Sequence, residues 1–137
     1  MSRLEAGMKN RRAVLGDAHV DRSMQSADPL AQPLQELVTE YCWDAVWGRE
    51  ALPRQTRSLL TIVMLTAGGH HDELRVHVRG ALRNGCTPEE VAEAITHSAI
   101  YAGVPAALSA MRIAVSVINE TQKLSPVTDG TPTEKEA

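Results

Sequence analysis

Residues 70–95 read HHDELRVHVRGALRNGCTPEEVAEAI, and this stretch contains two helix signals separated by a turn. The segment from about His71 to Asn84 is patterned as a helix, and Gly85 stands where a left-handed residue commonly closes one. TPEE (87–90) then gives a complete start signal, with a Thr cap, Pro at the first position and Glu at the third. The second helix is expected to run to about Ala102. The stretch therefore predicts a helical hairpin.

The rest of the chain is also predicted to be helical, and no strand pattern is present. The run LLTIVMLTA (59–67) is apolar nearly all round, so its helix is expected to be the buried centre of the fold. We predict an N-terminal helix and connecting arm over residues 1–27, a helical domain over 28–120, and a disordered tail over 121–137. Six helices are expected, over about 4–15, 34–48, 53–67, 71–84, 88–102 and 105–120.

The composition excludes several classes of protein. Hydrophobic residues make up 43% of the 137 residues, but aromatic residues only 3% with no Phe, which favours helices packed through aliphatic side chains. A net charge of −3 offers no basic face for nucleic acid. No apolar run reaches the roughly 18 residues of a membrane span, and the N-terminus lacks a secretory signal. Cys42 and Cys86 form no paired motif, so both are expected to be reduced thiols in a cytoplasmic protein.

The last predicted helix, over 105–120, has apolar residues around most of its circumference. A single domain of this size cannot bury every side of such a helix, so the surplus surface is expected to meet another copy of the chain. Ile113 and Val117 are expected to lie at that contact. The sequence thus predicts a homo-oligomer.

Glu73 and His77 are four residues apart and share one face of their helix, with His70 one turn before Glu73. A carboxylate can orient an imidazole and support its cationic form, so the pair could transfer a proton. An exposed Glu–His pair of little energetic value is the simpler interpretation. A metal site on His70, Glu73 and His77 is disfavoured because the spacing is not the efficient His pair at i and i+4. No metal is predicted.

Three further side chains are candidates for binding. Arg57 lies in the helix expected to be buried, where a charge requires a partner or a ligand. His97 and Tyr101 are four apart in the middle of the next-to-last helix, although a lone His there could be an ordinary core residue.

Most of the chain resembles the carboxymuconolactone decarboxylase family, within the alkylhydroperoxidase D-like superfamily. The resemblance implies an all-α six-helix bundle that assembles as a trimer or hexamer, with active sites between helices near subunit contacts. The matching segments are RRAVLGDAHVDR (11–22), YCWDAVW (41–47), LPRQTRSLLTIVML (52–65), DELRVHVRGALRNGCTPEEVAEAI (72–95) and IYAGVPAAL (100–108).

The resemblance also implies a chemistry. The peroxidase branch of the superfamily has a CxxC motif followed by a His, whereas this chain has His70 and Glu73 where those cysteines would stand. The decarboxylase branch removes a carboxylate from 4-carboxymuconolactone without a cofactor, because the lactone carbonyl accepts the electrons. His77 is then expected to be the general acid and Glu73 its partner. Substrate binding would fall to Arg57, His70, His97 and Tyr101.

Two other functions remain open on the sequence. The chain could be a non-catalytic helical oligomer that binds a small acid. It could also be a lactone isomerase or hydrolase that uses the same Glu–His pair.

Overall fold

The computed structural model describes residues 1–124, and every regular element in this range is helical. The predicted all-α fold is confirmed. A 3₁₀ turn (Pro29–Ala31) precedes the third α-helix and a π-helix (Thr39–Asp44) continues it. The seven α-helices are α1 (Arg3–Leu15), α2 (Asp17–Gln25), α3 (Gln32–Val38), α4 (Arg54–Gly68), α5 (His71–Arg83), α6 (Pro88–Ala102) and α7 (Val104–Leu124).

The helical hairpin predicted from residues 70–95 is present. Gly85 has φ +94°, which ends the segment after α5 in a conformation that residues with a Cβ rarely adopt. The Thr87 hydroxyl accepts a hydrogen bond from the Glu90 N–H at 3.1 Å, and the Glu90 carboxylate accepts one from the Thr87 N–H at 2.9 Å. This reciprocal capping fixes the start of α6.

The main core lies between α4, α5, α6 and α7. Small residues on α7 allow the neighbouring helices to approach closely. The core contains Ile62, Leu74, Val78, Val91, Ile95, Ala110, Ile113, Ala114 and Val117. A second cluster forms where α1 packs on the π-helix, around Val14, Trp43 and Trp47. At Gly7 of α1 a Cβ would overlap the Thr39 carbonyl oxygen, so the close contact of these elements depends on glycine.

The arm predicted over residues 17–28 is largely the helix α2, which accounts for the seventh α-helix. Gly16 turns the chain at φ +89°, and α2 then buries Val20 completely. The predicted helix over 34–48 is also divided, because Val38 is followed by the π-helix and then by turns. Propensity gave no warning of either change, since α2 and the π-helix both pack against α1.

The expected burial of two helices is only partly correct. In α4 the side chains of Leu60 and Met64 are 44% and 67% exposed, so this helix is not buried all round within one chain. In α7, Ile113 and Val117 were expected at a contact with another copy of the chain. They are instead 8% and 0% exposed and belong to the chain's own core. The exposed large apolar side chains of α7 are Val104, Leu108, Val115 and Leu124.

The C-terminal boundary also differs from the expectation. α7 continues to Leu124, so residues 121–124 are helical rather than part of a tail. The rest of the predicted disordered tail lies outside the described residues. None of the helices within residues 1–124 combines the length and the apolar character required to cross a membrane.

Candidate active site

His77 on α5 lies against two tryptophan rings. Its imidazole is nearly parallel to the Trp43 ring, with centroids 6.0 Å apart and planes 9° apart. The Trp47 ring lies at 6.2 Å and 23°, and the two indoles are 5.3 Å from each other. Both tryptophans are almost completely buried. The imidazole therefore borders an apolar, water-poor surface that restricts its orientation.

The π-helix positions these two rings. Its wider turns are closed by bonds from the Ala45 N–H to the Glu40 carbonyl and from the Trp47 N–H to the Cys42 carbonyl, at 3.0 and 2.9 Å. Asn10 of α1 holds the same segment by donating from Nδ2 to the Trp43 carbonyl at 2.9 Å. Insertions of this kind in helices are frequent at functional sites.

The surroundings of His77 favour its neutral form. The pKa of His77 is lowered to about 4, chiefly by burial and also by the nearby His19, while Glu73 opposes the shift. The Nδ1 atom is buried without a hydrogen-bond partner among residues 1–124. A buried polar atom without a partner is uncommon and often marks the place of a ligand or water. Near neutral pH the free protein thus presents an uncharged imidazole with an unused ring nitrogen.

Glu73 acts on His77 through its charge rather than through a hydrogen bond. Its side chain is exposed, and within residues 1–124 no hydrogen bond joins the two. His70 precedes α5 and is also exposed, with its ring against Gly68. Of the three residues that sequence reasoning grouped on one face, only His77 is enclosed.

Arg57, in the first turns of α4, has a hydrogen-bond donor without a partner in the described residues, as expected for a residue that binds a ligand. Its Nη2 donates to the Arg49 carbonyl at 3.2 Å, while Nε is buried without a partner in the described part of the chain. No carboxylate lies within 4 Å of this guanidinium in residues 1–124. Arg49 follows Trp47 by two residues, so the loop that contacts Arg57 also carries one wall of the His77 environment.

An open cleft of about 420 Å³ lies beside Trp47, at the start of α4. Its polar lining includes Asn10, Arg49, Glu50 and Arg54, and Arg54 donates to the Asn10 Oδ1 at 3.1 Å. Two guanidinium groups and one carboxylate leave the lining with a net positive charge, which suits an anionic ligand.

His97 and Tyr101 contact each other but lie on a different surface. Their rings are 5.2 Å apart and tilted by 30°, and both residues are exposed, Tyr101 by 83%. Neither has a described contact with His77. Ile100 and Leu108, also exposed, lie on the same pair of helices, α6 and α7.

Sequence reasoning missed His19 and the two tryptophans. His19 lies on α2, which was predicted to be an arm, and its charged form would lower the pKa of His77. Trp43 and Trp47 are four residues apart, a spacing that could have shown a shared face. Their contact with α5 could not have been read from that spacing.

Other chemistries have less support. Within residues 1–124 no group of three or more His, Cys, Asp and Glu side chains is arranged to hold a metal ion. Cys42 and Cys86 are free thiols, and burial raises the pKa of each. A raised pKa disfavours the thiolate that peroxide reduction requires.

Residues 32–116 match the sequence profile of the Carboxymuconolactone decarboxylase family. The chain belongs to this family. It is 42% identical to the 4-carboxymuconolactone decarboxylase of Acinetobacter baylyi over 118 residues, which cover 86% of this chain and 88% of that protein. It is also 40% identical to the nitrosuccinic acid decarboxylase of Metarhizium robertsii over 116 residues, 85% of this chain and 81% of that one.

The family match includes all six site residues predicted from the sequence. α1 and α2 precede the matched range, although they supply Asn10 and His19 to the surroundings of His77. In this member of the carboxymuconolactone decarboxylase family, the candidate site is therefore built from the matched helices and from the segment before them.

Proposed function

We propose that this protein decarboxylates 4-carboxymuconolactone, or a closely similar lactone acid, to the enol-lactone in aromatic catabolism in the cytoplasm. The relative of that name supports the substrate, since it is similar over most of both chains. The observation that carries the proposal in the structure is His77, an imidazole held against two indoles with a buried, unused Nδ1.

The reaction requires no cofactor. When the carbon–carbon bond to the carboxylate breaks, its electron pair passes through the ring double bond into the lactone carbonyl, and carbon dioxide leaves. One proton must then reach carbon. The protein has to hold two carboxylates, stabilise the negative oxygen and supply the proton.

His77 is proposed as the proton donor, although the free protein holds it neutral. A bound dianion favours the imidazolium and would raise the pKa of His77, which free of ligand is about 4. Glu73 supports the same charged form. His77 would thus take up a proton together with the substrate and release it to the substrate carbon. A dry site strengthens this coupling because the charges are poorly screened.

Arg57 is proposed as the anchor for a substrate carboxylate, and the adjoining cleft has a net positive charge because Arg49 and Arg54 outnumber Glu50 there. Arginine suits this task because its planar fork binds a carboxylate through two hydrogen bonds. His70, His97 and Tyr101 are proposed to contact the substrate less directly.

His97 and Tyr101 could reach such a site only from another subunit, because they lie on an exposed surface away from His77. We therefore propose a homo-oligomer, a trimer or hexamer, that covers the apolar face of α4, α6 and α7. The exposed side chains of this face are Leu60, Met64, Ile100, Tyr101, Val104 and Leu108. Burial of a large aliphatic side chain contributes roughly 1.5–3 kcal/mol, so a few per subunit suffice for assembly.

The second relative suggests which substrate to test beside the lactone. Nitrosuccinic acid is a dicarboxylic acid in which a nitro group can accept the electrons that carbon dioxide leaves behind. Both names thus describe acids that contain their own electron acceptor. The lactone is our first choice because the corresponding relative covers slightly more of both chains.

The test follows ultraviolet absorbance of the lactone and traps carbon dioxide in the same sample, with nitrosuccinate in a parallel one. Equal amounts of lactone lost and gas released support the proposal. Lactone loss without gas would instead show an isomerase or hydrolase. Binding of the lactone without turnover would indicate a non-catalytic acid-binding oligomer. Carbon dioxide released from nitrosuccinate alone would indicate that this acid is the substrate.

A further inference from the structure

Arg11 on α1 is a buried cation outside the site described above. Its residue is 8% exposed, and no carboxylate lies within 4 Å of its guanidinium in residues 1–124. Its two hydrogen bonds go to the Gln35 Oε1 and the Ser23 Oγ, each at 3.4 Å. Charge-assisted hydrogen bonds are ordinarily about 2.7–2.9 Å long. The donors of Arg11 are therefore held by distant, neutral acceptors.

Arg12, the next residue, shows what an ordinary arginine does on the same helix. It forms ion pairs with Asp17 at 3.2 Å and Asp21 at 2.8 Å on the protein surface. Two acidic residues thus pair with the half-buried Arg12, whereas the buried Arg11 has none. Because an uncompensated buried charge is costly, Arg11 has the larger need for an anion.

Arg11 lines a cavity of about 180 Å³ between α1, α2 and α3. Leu4, Met8 and Met24 give this cavity an apolar wall. Glu36 also lines it, but its carboxylate accepts from the Gln32 Nε2 at 3.0 Å and does not pair with Arg11. A volume of about 150 Å³ is large enough to hold benzene, and this cavity opens to solvent beside Leu4 and Met24, which are 37% and 51% exposed.

We propose that this cavity binds a small organic monocarboxylate, with the carboxylate on Arg11 and an apolar part about the size of a benzene ring against the methionines. The planar guanidinium offers two parallel donors to a carboxylate, and a carboxylate would replace the two long contacts. The cavity is distinct from the proposed active site, since neither His77 nor Arg57 lines it. This inference does not depend on the proposed decarboxylation.

The experiment is calorimetric titration of the full chain with benzoate, and with benzamide as a neutral molecule of the same shape. Benzoate should bind, and benzamide should bind at least about tenfold more weakly because it lacks the charge. Arg11→Gln should weaken benzoate binding by about tenfold or more, whereas the matched Arg12→Gln should leave it within about twofold.

Two further variants make the result decisive. Ala27→Phe fills the cavity from an exposed loop position that the fold tolerates, so it should block benzoate even if Arg11→Gln unfolds. His77→Phe should leave benzoate binding unchanged. The proposal is overturned if the wild type does not bind benzoate at millimolar concentration, if benzamide binds equally well, or if His77→Phe abolishes binding while Ala27→Phe does not. Decarboxylase activity is assayed separately, so its failure would not affect this result.

Discussion

Within residues 1–124 two histidines contact aromatic rings, and their surroundings differ in burial and charge. His77 is held against Trp43 and Trp47 in a buried cluster, where its pKa falls to about 4. His97 contacts Tyr101 at a similar distance, yet both are exposed. The π-helix and α1 cover the first contact, whereas no element of residues 1–124 covers the second. Residue type and spacing do not distinguish a buried imidazole from an exposed one; the covering elements do.

The difference suggests two roles. The enclosed His77 is suited to proton transfer, since its charge state responds strongly to a bound anion. The exposed pair and its apolar neighbours are suited to contact with another subunit. The predictions below test this division.

The largest effect is expected from a charge placed on either side of α7. Val117→Asp puts a carboxylate in the main core, where Val117 is 0% exposed, and should lower the free energy of unfolding by more than about 4 kcal/mol. Leu108→Asp, at a residue 54% exposed, should leave the helical content intact but yield smaller species in sedimentation. Circular dichroism and sedimentation velocity measure the two outcomes. A wild type that is already monomeric at micromolar concentration would contradict the proposal that another subunit covers this face.

Next in size is the loss of the proposed proton donor. His77→Ala should reduce kcat on the lactone by about 10²-fold or more, with a smaller change in KM. His97→Ala, the matched change in the exposed pair, should cost much less in kcat. Steady-state assays on variants with native circular dichroism give both values. Near-full activity of a folded His77→Ala protein would show that the proposed mechanism is wrong.

A smaller effect is expected in the pH dependence of stability. The unfolded chain protonates His77 near pH 6.5, but the folded chain resists this until about pH 4. The unfolded state therefore binds more protons in this window, and stability falls as the pH decreases through it. From pH 7 to pH 5 the loss due to His77 should be about 2 kcal/mol.

Urea denaturation at several pH values measures this effect. His77→Phe should remove that part of the slope, while His97→Phe should retain it. The lowered pKa of His19 also makes the free energy of unfolding fall as the pH decreases, and both variants keep this contribution. An unchanged slope in His77→Phe would contradict the burial argument.

The smallest effect is expected from the cysteines. Cys42 packs beside the tryptophan cluster and Cys86 lies in the main core, and neither thiol has a described contact with His77. Cys42→Ser and Cys86→Ser should therefore leave kcat/KM within about threefold, and the wild type should not reduce peroxide with a thiol donor. Thiol-dependent peroxide reduction would instead support the chemistry of the peroxidase branch.

Much of the fold could be predicted from local signals. The Thr87 cap, the turn at Gly85 and the aliphatic composition indicated helices, and the structure confirms them. The prediction for α2 failed because the helix has only nine residues, which is shorter than the window over which helical periodicity can be recognised. The π-helix was not predicted because hydrogen bonds that span five residues instead of four leave almost no trace in sequence.

The candidate site was predicted less completely than the fold. Arg57 was identified because a charge on a helix expected to be buried needs a partner, and His77 was identified from its spacing to Glu73 and from the family resemblance. Each has a buried atom without a partner in residues 1–124. The grouping of His70 and Glu73 with His77 came from helical spacing. Spacing shows which residues share a face of a helix, but not which other elements pack against that face. His19 was missed because it reaches His77 through packing between segments nearly sixty residues apart.

The sequence by itself determined most of the helices, most of their ends and the family, because caps, turns and periodicity act over a few neighbouring residues. Only the tertiary structure decided which surfaces are covered: Val117 is buried and Leu108 exposed, and His77 is enclosed while His97 is not. Burial depends on what packs against a helix from elsewhere in the chain, and the pKa of a histidine follows its burial. The chemistry of this protein therefore rests on contacts that no local pattern encodes.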